Sequence, residues 1–253
     1  MTASIENRQQ LSSNNEQERA HREDDARQLV DNIVGRNGEY FANPDNRLEF
    51  MQTQGADDFY RMAQHVNARL RNEIPAKLRR DPDEKGAFLR ALHTPSHEDK
   101  VPAFRNGYRA IQEYITQSTD STDKKIQSVA MATEALVIWT HPFNDGNGRT
   151  SRFLAKLIEE GATDADSLVA ETATRNQRNL VYRQEFQTKE GALSEANNND
   201  IMYDDGEREE LLAKAESLPN DIDGVYLSVK RLLHNDATQQ HAMRYVQVKQ
   251  SAV

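Results

Sequence analysis

Apolar positions along this chain recur at helical spacing nearly everywhere, and strand-like alternation is weak. Ala26, Leu29, Val30 and Ile33 mark one face of a helix over Glu16–Val34, with Gly35 as a natural stop. Phe59, Met62, Ala63, Val66 and Leu70 repeat the pattern, and Pro75 follows. A short helix is expected to begin over Ala87–Leu92. Tyr108, Ile111, Tyr114 and Ile115 mark the next. Thr122 or Asp123 is placed to cap a helix whose apolar positions are Ile126, Val129, Ala130, Leu136 and Val137 and which ends at Trp139-Thr140. After a loop at 141–147, Phe153, Leu154, Leu157 and Ile158 form another apolar face that Gly161 closes. Later helices are expected over Leu180–Phe186, Glu207–Leu218 and Val225–Leu233. An extended stretch is expected at Thr94–Phe104, bounded by Pro95 and Pro102. The expected fold class is all-α.

Composition narrows this further. Hydrophobic residues make up 36% of 253, below the roughly 45–50% apolar share of ordinary globular domains, so the core must be concentrated. The sequence directs attention to Ala87–Tyr182 for it. Net charge is −9, which disfavours bulk attraction to nucleic acid or anionic membranes; neither is an expected partner. Nine acidic residues between Asp200 and Asp223 face only Arg208 and Lys214. They read as a solvated helix face with its flanking loops. No apolar run approaches the ~20 residues of a membrane span, and MTASIENRQQ carries no leader-like pattern. A cytoplasmic location is therefore expected, with secretion as an effector left open. Without Cys there is no disulfide, thiolate metal site or thiol nucleophile.

One segment, His141-Pro142-Phe143-Asn144-Asp145-Gly146-Asn147-Gly148-Arg149-Thr150-Ser151-Arg152, concentrates chemistry. Gly146-Asn147-Gly148 directly precedes an amphipathic helix. The unpaired N–H groups and positive dipole end at such a start attract an anion. Glycines there allow close backbone approach to a phosphate. Arg149 and Arg152, three apart, are placed to clamp that anion. Asp145 is a single carboxylate suited to Mg²⁺ on polyphosphate oxygens. His141 is the loop's one group with an unperturbed pKa suited to general-base work near neutrality. Taken singly, these residues have plainer readings. His141 can be a helix cap, Gly-Asn-Gly a turn, and His141 with Asp145 two ligands of another metal.

The segment resembles the signature of the Fic (filamentation induced by cAMP) domain family, H-P-F-x-[D/E]-G-N-G-R-x-x-R, at all nine specified positions. Chance agreement in a chain of this size is about one in a billion. The resemblance implies a Fic-fold helical bundle with N- and C-terminal helical extensions and at most a small β-hairpin flap. It suggests a helical region at 1–86 with an inhibitory helix at 2–7, a Fic core at 87–190 and an acidic helical extension at 191–253. It further implies a protein adenylyltransferase: Mg²⁺-dependent transfer of AMP from ATP to a Ser, Thr or Tyr hydroxyl of a target protein. By this resemblance His141 is the base and Asp145 holds the metal. Gly146, Asn147 and Gly148 cradle phosphate, Arg149 clamps the outer phosphates and Arg152 holds the γ-phosphate.

Thr2-Ala3-Ser4-Ile5-Glu6-Asn7 resembles the family's autoinhibitory pattern, [S/T]-x-x-x-E-[G/N]. The resemblance implies that Glu6 pairs with Arg152 and blocks productive γ-phosphate placement, as a carboxylate mimicking phosphate. Leu92–Phe104 sits where the family's flap is expected, and its histidines, His93 and His97, read as incidental on a surface loop. Arg175, Asn176, Arg178 and Tyr182 are candidate walls of the base and sugar pocket, although Tyr182 suits a core position better. Residues 191–253 are available to dock a target or a second copy of the chain. Within the same fold, UMP or phosphocholine transfer, kinase-type transfer and AMP removal are the rival reactions. A catalytically idle binding module is the rival from another class.

Overall fold

The computed structural model describes residues 28, 38–71, 94–161, 182, 186–197 and 205–235. Among these residues there are nine helices and no strand. The helices are α1 (Gly38–Ala42), α2 (Pro44–Thr53), α3 (Ala56–Leu70), α4 (Lys100–Gln117), α5 (Thr122–Thr140), α6 (Asn147–Glu160), α7 (Lys189–Ala196), α8 (Asp205–Ser217) and α9 (Asp221–His234). The all-α expectation holds. None of these helices is long and apolar enough to cross a membrane. The expected helices at Glu16–Val34 (Gln28 aside) and Ala87–Leu92 lie outside the described residues.

At the centre is α5, whose side chains from Ser128 to Thr140 are all buried. A helix apolar nearly all round can be stable only when other elements surround it. Here α4, α6 and α9 provide most of that cover, and α2 adds to it. Gly107 of α4 permits a close approach: a Cβ there would lie 2.5 Å from Leu136 of α5 and 2.9 Å from Val225 of α9. α3 is joined to α4 through aromatic packing, with Phe59 stacked on Tyr108 at 4.5 Å. The Tyr108 hydroxyl donates to the Met51 carbonyl at 2.8 Å, tying α4 to α2.

The core reaches further than the sequence pattern indicated. Phe41, Leu48, Phe50 and Met51 enter it ahead of Ala87, and Val225, Val229, Leu232 and Leu233 enter it after Tyr182. Short or isolated apolar faces become core once a partner helix covers them, a long-range event that local composition does not register.

Two local expectations are corrected. The cap of α5 is Ser121, whose Oγ accepts from Lys124 N at 3.4 Å, so Thr122 is already the first helical residue. The stretch Thr94–Phe104 is not extended throughout. It runs through a turn at His97–Asp99 and is helical from Lys100. Pro102 is compatible with helix because it falls in the first turn, where the missing N–H would have had no intrahelical partner. The described part of the expected flap, from Thr94 onward, is thus turn and helix.

α6 is held at its far end by Arg47 of α2, a buried side chain whose Nη1 donates to the carbonyls of Ile158 (2.9 Å) and Glu159 (2.5 Å). A guanidinium at a helix C-terminus satisfies orphan carbonyls and opposes the negative dipole end. Burial lowers the Arg47 pKa from its ordinary value, and Glu159 partly opposes that shift. Gly161 then ends the helix with φ 93, where a Cβ would meet the Phe41 carbonyl at 2.7 Å.

Candidate active site

The site lies where α5 ends and α6 begins, in a loop closed by left-handed residues on both sides. Pro142 disfavours continuation of α5, since the residue before a proline is driven from helical geometry. His141 leaves the helix at φ 41, ψ 58. Among the described residues it is the only non-glycine with positive φ. Left-handed geometry costs a residue with a Cβ roughly 1–2 kcal/mol, so its surroundings must impose it. Its N–H donates to Val137 O at 3.0 Å. Its carbonyl accepts from Lys100 Nζ at 2.8 Å. Its half-buried imidazole has both ring nitrogens within 3.2–3.3 Å of Asn147 Nδ2.

Asn147 also closes the loop. Its Oδ1 accepts from Phe143 N at 2.9 Å, and its Nδ2 donates to Phe143 O at 2.6 Å. Asn147, which the Fic resemblance places in the phosphate cradle, therefore has its side chain engaged in holding the histidine and Phe143. Phe143 itself is fully buried, its ring stacked against Tyr60 of α3. That ring anchors the loop to the core between its two polar ends.

Gly146 opens α6 at φ 77, ψ 3 and takes the first helical bond, Thr150 N to Gly146 O at 2.9 Å. A Cβ at this position would stand 2.8 Å from Asn67 Nδ2 and 3.2 Å from Arg71 Cδ. Both conformation and space therefore demand glycine. The Gly146 N–H donates to Asp145 Oδ1 at 2.6 Å, and the first-turn N–H groups of α6 lie at the positive end of its dipole.

The charged groups divide by exposure. The Asp145 side chain is 67% exposed and lies 3.5 Å from Arg149 Nη2 and 3.8 Å from Arg71 Nε. Arg149 also reaches Leu70 O at 3.4 Å. Arg152, by contrast, is buried, with 5% relative exposure. Among the described residues no group of three or more His, Asp and Glu side chains is arranged to hold a metal.

Three contributors were not singled out from sequence. Asn67, fully buried on α3, donates to Asp145 O at 2.9 Å and Thr150 Oγ1 at 3.0 Å, bracing the loop against α6. Its Oδ1 is buried without a hydrogen-bond partner. Arg71 ends α3 beside Asp145, and Lys100 begins α4 beside His141. The one local hint was Asn67, a polar residue adjoining the apolar face of α3.

Tyr182 is core, as its position suggested. It is fully buried, its hydroxyl donates to Glu134 at 3.0 Å, and its carbonyl accepts from Trp139 at 2.9 Å. Thr2, Glu6, Asn7, His93, Arg175, Asn176 and Arg178 lie outside the described residues.

Residues 56–158 match the model of the Fic/DOC family. No curated protein and no solved structure matches the chain. The Fic/DOC match begins with α3 and runs nearly to the end of α6, so it spans the whole loop together with Asn67, Arg71 and Lys100. Fic-family proteins are usually enzymes that transfer nucleotides or similar groups.

Proposed function

We propose that the protein is an adenylyltransferase that moves AMP from ATP to a hydroxyl side chain of a target protein. The observation carrying this reading is the folded loop itself. One imidazole and one exposed carboxylate flanked by the Arg149 and Arg71 guanidiniums stand at a glycine-started helix N-terminus within a Fic/DOC-matching segment.

In this reading His141 takes the proton from the target hydroxyl. The freed oxygen then forms a bond to the α-phosphorus. The bond from that phosphorus to the bridging oxygen breaks, and pyrophosphate leaves. The N–H groups around Gly146, Asn147 and Gly148 hold phosphate oxygens, and Arg149 and Arg152 neutralise charge on the outer phosphates. Such transfer depends mainly on positioning and charge stabilisation. Asp145 fits a Mg²⁺ site: its carboxylate is largely exposed beside two guanidiniums, where polyphosphate would also gather. Bound there, the ion would neutralise charge on the α- and β-phosphates.

Glu6 serves in this proposal as an inhibitory carboxylate directed at Arg152, with Thr2 and Asn7 completing its pattern. The test uses wild-type and Glu6→Gly protein with α-labelled or γ-labelled ATP and cell lysate. Label retained from the α position alone, rising in Glu6→Gly, is the expected result. Retention of γ-label would establish kinase-type transfer instead, and binding without any labelling would favour an idle module.

A further inference from the structure

Lys100 occupies an unusual position. It is the first residue of α4, where an ammonium faces the positive end of its own helix dipole. It is also buried, at 5% relative exposure. A buried cation is costly unless it is hydrogen-bonded. Both facts are reconciled by where the side chain goes. Its Nζ donates at 2.8 Å to the His141 carbonyl, at the negative end of α5.

From this contact we infer that Lys100 is a positioning residue for His141. It stabilises the one left-handed non-glycine among the described residues and so fixes where the imidazole stands. The inference rests on the base role proposed for His141.

The geometry gives the two restraints on the histidine separate targets. Asn147 holds the ring through its Nδ2 and is itself fastened to Phe143. Lys100 holds the main chain through the carbonyl. Without the ammonium, φ 41 would lose the bond that offsets its cost, and a relaxed backbone would carry the ring away from Asn147. The start of α4 is itself braced. Lys100 N donates to Ser96 O at 3.1 Å, and Ser96 Oγ donates to Asp99 Oδ2 at 2.7 Å. The lysine therefore reaches His141 from a fixed base.

The test compares Lys100→Met, Lys100→Gln and Lys100→Arg in the full chain, with ATP and a hydroxyl-bearing acceptor, alongside melting temperatures. Lys100→Met is expected to lower kcat by about 100-fold while the KM for ATP changes by less than about twofold, because misplacing a reacting group by an ångström has that scale of effect. Lys100→Arg is expected to restore much of the rate, since it keeps a cationic donor. Should Lys100→Met fail to fold, Lys100→Gln against Lys100→Arg gives the same contrast. The inference is overturned if the neutral variant keeps wild-type kcat, or if rate loss simply follows the melting temperature in all three.

A readout independent of turnover separates this inference from the proposed reaction. The His141 ¹³Cα shift reports its left-handed backbone and is expected to move in Lys100→Met and stay near wild type in Lys100→Arg. If wild-type protein transfers nothing but that shift behaves as stated, the reaction fails while the contact with Lys100 stands. If the shift is unmoved by Lys100→Met, the positioning role is refuted whatever the activity.

Discussion

α5 and α8 both lack a clear apolar stripe, but for opposite reasons. α5 is apolar nearly all round and buried continuously from Ser128 to Thr140. α8 is polar nearly all round, and Ala215 is the only buried one among its described side chains. The first has to be enclosed by other helices, so the loop at its C-terminus inherits a rigid base. The second rests mainly on α7 and presents Glu207, Glu209, Glu210 and Glu216 to solvent. Among the described residues, these exposed glutamates and the candidate chemistry therefore lie on different helices.

The contrast can be broken first at the end of α5. His141→Ala is expected to lower transfer by about 10²–10⁴-fold, the usual contribution of a general base, with nucleotide binding retained. Transfer assays paired with calorimetric ATP titration measure both, and wild-type rates in the variant would remove His141 from the mechanism. Within α5, Leu136→Ala should destabilise the fold by about 2–5 kcal/mol, because the cavity opens in the enclosed core. Denaturant unfolding checks this.

At the start of α6, Gly146→Ala should cost roughly 1–2 kcal/mol for its left-handed backbone alone. The displaced Asn67 and Arg71 side chains should weaken nucleotide affinity as well, a loss that equilibrium binding would reveal.

Smaller effects test the periphery. Ahead of α5, Asp120 accepts from the Tyr114 hydroxyl at 2.8 Å and Ser118 Oγ at 2.9 Å. These bonds, Tyr114's first, hold its pKa below the ordinary value. A carboxylate whose folded pKa is lowered contributes stability above its unfolded pKa of about 3.9 and loses it as pH falls through the folded value. Asp120→Asn should therefore be less stable than wild type near neutrality, with the gap closing in acid urea titrations. Smallest of all, Glu209→Gln with Glu210→Gln on α8 should change stability by no more than about 0.5 kcal/mol and leave transfer untouched. A large loss in either would mean that α8 serves the site after all.

Much of this was legible from sequence because helix periodicity and the loop motif each lie within contiguous residues. α3, α4 and α6 carry the apolar faces their spacing implied, and Gly161 ends α6 where expected. The Thr94–Phe104 segment misled because two prolines suggest extension, although one of them can occupy a helix's first turn. The reach of the core into α1, α2 and α9 was hidden because burial depends on what packs against a face.

The sequence by itself determined the helical class and the order of the loop residues. Tertiary structure decided how that loop is held. Lys100 meets His141 from 41 residues away, and Asn67 meets Asp145 from 78. Such contacts have no local period or motif. They exist only because α3 and α4 are packed beside the α5–α6 turn, and that packing brings a buried ammonium and a buried amide to the two ends of one loop.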